Sequence, residues 1–157
     1  MPGTSYVGKA GQLATMSEFL MRGYNVAVPE VDVGDDVFVV HDREGILFRI
    51  QVKTATAVRR GYGHSGVFSV PLDQLREPTQ PDLDYAFALR KGVGQWEFLI
   101  APRKQLNLQH RRYNIGKVIN GKLILYISFR ETEVLCSGRS CQHYRNNWDR
   151  WPVIAGK

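Results

Sequence analysis

The sequence predicts an α/β or α+β domain with one central sheet and helices packed against it. Three observations lead there. A stretch of apolar residues with helical period opens the chain. Three short strand-like runs follow, two of them joined by a polar turn. The remainder mixes further strand-like runs with short helical segments and basic tracts. With 157 residues, one domain spanning 1–157 is expected. The chain is 43% hydrophobic and 23% charged, a globular composition and not a disordered one. At this size roughly two thirds of the unfolded surface can be buried, so a core needs no staples.

Residues 7–22 read as a helix. Val7, Ala10, Ala14, Ser17 and Met21 follow one stripe, and Leu13, Met16 and Leu20 widen it into one broad apolar face, the kind a helix turns to a core. Gly23 stands where a helix C-cap belongs. Residues 24–28 form a short strand closed by Pro29. Residues 36–41 and 46–54 are strands joined by the turn Asp42-Arg43-Glu44-Gly45, a β-hairpin. Residues 57–66 are polar, basic and glycine-containing, and read as a loop. A short strand at 67–70 and a helical turn at 73–75 come next, the turn broken by Pro78 and Pro81. Strands at 85–89 and 96–100 meet near Gly92-Val93-Gly94, and residues 123–129 make another. Residues 141–151 read as a terminal helix with aromatic anchors.

The run 123–129 is the longest uncharged apolar stretch, far short of the roughly 20 residues a membrane helix needs. Residues 1–9 lack the apolar core of a signal peptide, so a cytoplasmic protein without a membrane partner is expected. Cys136 and Cys141 are too few for a zinc site and read as two free thiols. The net charge is +6, unevenly spread. Residues 1–50 carry 4 Lys/Arg against 7 Asp/Glu, and residues 51–157 carry 17 against 8. An acidic patch in a basic protein suggests a metal site beside a polyanion track, or equally a solvated surface with a chance asymmetry.

The hairpin carries the chemistry. Side chains two apart on a strand share a face, so Arg49, Gln51 and Lys53 lie on one face and Ile46, Phe48, Ile50 and Val52 on the other. A turn centred between Arg43 and Glu44 puts Asp36 directly across from Gln51, about 5 Å between Cβ atoms. Lys53 follows two residues on. A three-residue turn would break this convergence. A carboxylate facing an amide carbonyl suits a hard cation such as Mg2+, and a lysine beside it can stabilise phosphate charge. The same triplet is also what a solvated sheet face with one weak ion pair looks like.

The stretch 8–54 resembles the PD-(D/E)XK nuclease superfamily. The likeness is greatest to its QxK-type members, such as small homing endonucleases and intron-associated proteins, and more distant to archaeal Holliday-junction resolvases. Three elements carry the match, over about a third of the chain: the helix from Gly8-Lys9-Ala10-Gly11-Gln12 to Arg22-Gly23-Tyr24-Asn25-Val26, then Val31-Asp32-Val33-Gly34-Asp35-Asp36-Val37, then Phe48-Arg49-Ile50-Gln51-Val52-Lys53-Thr54-Ala55. A weaker match continues at Asp84-Tyr85-Ala86-Phe87-Ala88, at the strand Trp96-Glu97-Phe98-Leu99-Ile100 and at Asn147-Trp148. The resemblance implies a restriction-endonuclease-like αβββαβ core with a mixed central sheet flanked by helices. It implies a Mg2+ or Mn2+ site with Asp36 as the metal-binding aspartate, Gln51 in place of the second acidic ligand and Lys53 as the catalytic lysine. Asp35 is a rival for the aspartate. Many relatives carry Glu where this chain has Gln12, so one carboxylate stands where two or three are usual. Glu18 is the nearest helical alternative, about 120° around the helix.

Arg59 and Arg60, in the glycine-containing tract, and Arg111 and Arg112, in a second basic tract, are the expected phosphate contacts. Arg139, Arg145 and Arg150 lie among Tyr144, Trp148 and Trp151, aromatics that either stack on bases or anchor the tail on the sheet. His64, His110 and His143 read as surface histidines. The expectation is a metal-dependent DNA endonuclease. The alternatives are a nuclease-fold DNA-binding protein that no longer cuts, or a basic protein-interaction module. Cutting two strands calls for a homo-oligomer, although no heptad or interface stripe is evident in the sequence.

Overall fold

The computed structural model describes residues 3–31 and 36–148, Asp36 through its backbone alone. The chain starts with α1 (Thr4–Met21) and then β1 (Asn25–Ala27), β2 (Asp36–His41) and β3 (Ile46–Thr56). A hairpin, β4 (Val58–Arg60) and β5 (Gly63–Pro71), precedes α2 (Leu72–Arg76) and β6 (Leu83–Gly92). Then come β7 (Gln95–Pro102), α3 (Arg103–Tyr113), β8 (Lys117–Ile119), β9 (Lys122–Arg130), β10 (Val134–Cys136), β11 (Arg139–Ser140) and a 3-10 turn, Gln142–Tyr144.

The central sheet has the order β1-β2-β3-β6-β7. Its β3–β6 pair is parallel and the others antiparallel, so it is mixed. The αβββαβ path is α1, β1, β2, β3, α2 and β6, with the β4–β5 hairpin inserted before α2. That hairpin departs from the sequence expectation of a loop at 57–66. It founds a second sheet of order β11-β10-β9-β5-β4, with β8 also on β9. Glycine makes the hairpin possible: Gly63 has φ +143°, and a Cβ there would lie 2.3 Å from the Phe129 carbonyl oxygen. The fold therefore has two packed sheets where one was expected.

Alternation sets the layers. Val37, Val39, Ile50, Val52, Ala86, Ala88, Phe98 and Ile100 face α1 and gather around Phe19 and Trp148. Ala55, Tyr85, Phe87, Leu89, Leu99 and Ala101 face the second sheet and meet Phe68, Val70, Leu123, Leu125, Ile127 and Phe129. Strands β6 and β7 are thus covered on both sides, which is why they read as continuous apolar runs.

Helix α1 is turned partly away from the sequence expectation, with Ala14 and Met16 of the expected face still packed against the core. Its buried residues are Gly11, Gln12, Thr15 and Phe19, whereas Leu13, Leu20 and Met21 are exposed. Close approach decides this: a Cβ on Gly11 would lie 2.1 Å from Thr54 Oγ1 and 2.7 Å from its Cγ2, so only a glycine face reaches β3 here. Beyond the 3-10 turn the expected helix at 141–151 does not continue among the described residues. Trp148 anchors the segment, edge-on to Phe19 at 5.2 Å and to Phe98 at 5.3 Å, with the Arg22 guanidinium 4.6 Å above it. Cys136 and Cys141 are buried free thiols. No helix among the described residues is long and apolar enough to cross a membrane.

Candidate active site

The turn after β2 fixes the register. The Glu44 and Gly45 amides both donate to the His41 carbonyl, and Gly45 takes φ +63°. Pairing then runs from His41↔Ile46 back to Asp36↔Gln51. The two residues singled out in the sequence are cross-strand neighbours, and Lys53 follows on the same face. The β2 ladder begins at Asp36, but β3 continues to Thr56, and residues 52–56 pair on their other side with β6. A cleft opens along this stretch between the first turns of α1 and the second sheet. Thr4, Val7 and Gly8 wall one side, Ser65 and Ser69 the other, and Lys53 lies between.

Gln51 is 1% exposed. Its Oε1 accepts a hydrogen bond from Gln74 Nε2 at 3.3 Å, and Gln74 Oε1 accepts from the Tyr85 hydroxyl at 3.1 Å. Burial pushes the Tyr85 hydroxyl well above the usual phenol range, so it stays a donor. Sequence reasoning missed Gln74 and Tyr85. Gln74 falls in what looked like a broken helical turn, and only the fold brings it to Gln51. Arg103 anchors that turn. Its guanidinium donates to both Asp82 oxygens, at 2.6 and 3.0 Å, and to the Leu75 carbonyl at 2.7 Å.

Gln12 is 2% exposed, next to the Gly11–Thr54 contact, and its Oε1 accepts from Lys9 Nζ at 2.7 Å. Glu18 forms an ion pair with Arg22 one turn on, away from the cleft walls. Asp35 lies outside the described residues. Among the described residues no group of three or more His, Cys, Asp or Glu gathers as a metal site. The Gln12 and Gln51 amides are neutral oxygen donors, and each already accepts a hydrogen bond, from Lys9 and Gln74; neutral oxygens of this kind hold a hard cation weakly.

Arg60 borders the cleft: its Nε donates to Ser65 Oγ at 3.0 Å. Past Ser65, Gly66 and Val67 a second groove continues over Arg60, Tyr62, Tyr126 and Ser128. Arg130 lies 4.6 Å above the Tyr62 ring. Arg59 is exposed on the same strand. Arg111 and Arg112 are exposed in the last turn of α3, where Arg111 lines a separate shallow pocket with Arg76. The structure therefore puts Arg60 in the groove next to the Lys53 cleft, sharing Ser65, Gly66 and Val67 with it, and puts Arg111 with other residues. Arg145 is structural: it pairs with the buried Glu97 and donates to the Arg130 carbonyl at 2.8 Å. Arg150 and Trp151 fall outside the described residues.

The described residues form a mixed α/β fold, a helix on one face of a mixed five-stranded sheet and a second sheet on the other. The chain is similar to the solved structure of a bacterial homing endonuclease, I-Ssp6803I, with a TM-score of 0.53 and 20% sequence identity over 95% of this chain and 91% of that one. At that identity the likeness is one of fold. No family model and no curated protein sequence matches the chain.

Proposed function

We propose that the chain, as one domain, is a metal-dependent DNA endonuclease of the PD-(D/E)XK class with a QxK-type site. The observation that carries this is the Asp36↔Gln51 pair with Lys53 two residues on, beside an open cleft in a nuclease-like fold. Asp36 and Gln51 would hold Mg2+ or Mn2+, and Gln12 would help order the helix side of the site. When bound, the cation supplies Lewis-acid polarisation of the scissile phosphate and a more acidic water. Lys53 would place its ammonium against the phosphate and stabilise the charge that develops there. Arg59 and Arg60 would hold the backbone near the cleft, and Arg111 and Arg112 would contact phosphates further away. Hydrolysis of both strands needs two such sites, hence a homo-oligomer.

The test is cleavage of plasmid and linear DNA with Mg2+ or Mn2+. Asp36→Ala and Lys53→Ala, each shown to be folded by circular dichroism, are expected to lose about 100-fold or more of the activity. Unchanged cleavage in both overturns the site. A second reading, a DNA-binding protein that no longer cuts, is favoured by one observation: the Gln12 and Gln51 amide oxygens already accept from Lys9 and Gln74. It requires salt-dependent DNA binding that is indifferent to metal, with no cleavage.

A further inference from the structure

The outward face of α1 carries large apolar residues in addition to the Phe19 that its inward face buries. Tyr6, Ala10, Leu13, Ser17 and Leu20 follow the alternating four-and-three spacing of a coiled-coil seam, and all are exposed. Tyr6 is 75% exposed, Leu13 56%, Leu20 52% and the adjoining Met21 82%. Within α1 the charges are Lys9 and Glu18, and Glu18 is paired with Arg22. Single apolar side chains on a surface need no explanation, but a heptad-spaced line of large ones marks an interaction site. With so little positive charge it is not a phosphate-binding face.

We propose that α1 is a homodimer interface, in which two copies of this chain pack their first helices antiparallel about a two-fold axis near Leu13. A two-fold interface must be self-complementary, and this face is. Leu13 meets Leu13 of the second copy, Tyr6 meets its Leu20, and Ala10 and Ser17 are small enough to let the helices approach. Charge selects the direction. Antiparallel pairing separates the two Lys9 residues by about 12 Å along the axis, beyond a Debye length of about 10 Å. It also opposes the helix dipoles. Parallel pairing would set Lys9 beside Lys9. Covering Tyr6, Leu13, Leu20 and Met21 in both copies removes on the order of 1,000 Å2 of surface, where specific interfaces begin. The opposite side of the same helix supplies Thr4, Val7 and Gly8 to the Lys53 cleft, so the pairing would join two clefts through one helix pair. This names an interface for the homo-oligomer proposed above, and it holds whether or not the chain cuts DNA.

The test is sedimentation of the full chain with cysteine cross-linking. The wild type is expected to be a dimer or a multiple of one. Leu13→Glu should raise the dimer dissociation constant at least about tenfold with the circular dichroism spectrum unchanged, since Leu13 is exposed in the protomer. On oxidation, Leu13→Cys should cross-link to itself. Lys9→Cys should do so only when mixed with Ser17→Cys, and the native cysteines are buried. A wild-type monomer at about 100 µM overturns the proposal, whether the stripe is bare or covered by residues 149–157. So does an oligomer untouched by Leu13→Glu.

Discussion

Gln51 is held by a relay that starts at a buried phenol. Tyr85 donates to Gln74 and Gln74 to Gln51, so the amide that faces β2 is oriented from behind. A carboxylate at this position would keep the bond from Gln74 and add a charge toward a cation. Gln51→Glu is therefore expected to tighten Mn2+ binding about tenfold, because affinity for hard cations follows the number of charged ligands. Isothermal titration against the Asp36→Ala protein checks it; unchanged affinity would place the metal elsewhere. Gln51 and Lys53 were readable in the sequence because a four-residue turn sets a two-strand register locally. Gln74 was not, since its partner is 23 residues away and reached only through the inserted hairpin.

The same neighbourhood has a pH-sensitive clamp. Burial by itself would raise the Asp82 carboxyl, but the Arg103 guanidinium and the Leu83 amide outweigh it and hold the group below its ordinary 3.8. Its contribution to stability is fully present above about pH 4 and is lost as the pH falls through the lower folded value. Asp82→Asn should cost about 1–2 kcal/mol at neutral pH and almost nothing at a pH low enough to protonate the folded carboxyl. That is less than the full cost of orphaning a buried guanidinium, because Asp82 is 41% exposed. Urea titrations at the two pH values measure the difference; equal losses at both would remove the clamp.

At the scale of elements, α1 is placed by a point contact. Ala at position 11 has the better helix propensity by about 1 kcal/mol. The clash with Thr54 reverses that sign, and Gly11→Ala is expected to destabilise the fold by about 1–3 kcal/mol. It should also lift the Thr4–Gly8 wall away from Lys53, so any cleavage activity falls before the fold does. Thermal unfolding alongside a cleavage assay separates the two effects. The existence of α1 was legible from its period, but its orientation was not. Apolar side chains on a helix say that a face will be covered, not by what, and the sheet beneath α1 takes Phe19 together with Gly11, Gln12 and Thr15. Tract 57–66 misled for a related reason: its glycines look like a loop, yet Gly63 lets β5 pair closely with β9.

Across the whole molecule, Arg60 lines the groove that continues from the cleft and Arg130 lies over its Tyr62. If DNA follows that track, Arg59→Ala with Arg60→Ala should lower the salt slope of binding by about 2 and weaken all sequences alike. Fluorescence anisotropy over a salt series tests this, and an unchanged slope would move the track to the α3 side. The sequence's basic excess pointed to a polyanion. It did not show that Arg145 is consumed by the buried Glu97, because that partner lies on another strand.

The inserted hairpin also sets a timetable. Gly63 pairs with Arg130 and Pro71 with Lys122, partners more than fifty residues later in the chain. The central sheet through β7 is complete in sequence before β9 exists, so during synthesis Phe68 and Val70 wait without the strand that covers them. Long-range pairing of this kind is slow. Refolding should show an early phase that packs Trp96 against Phe98 and a later one that closes the second sheet. Between the two, an uncovered apolar hairpin makes this protein most prone to aggregate.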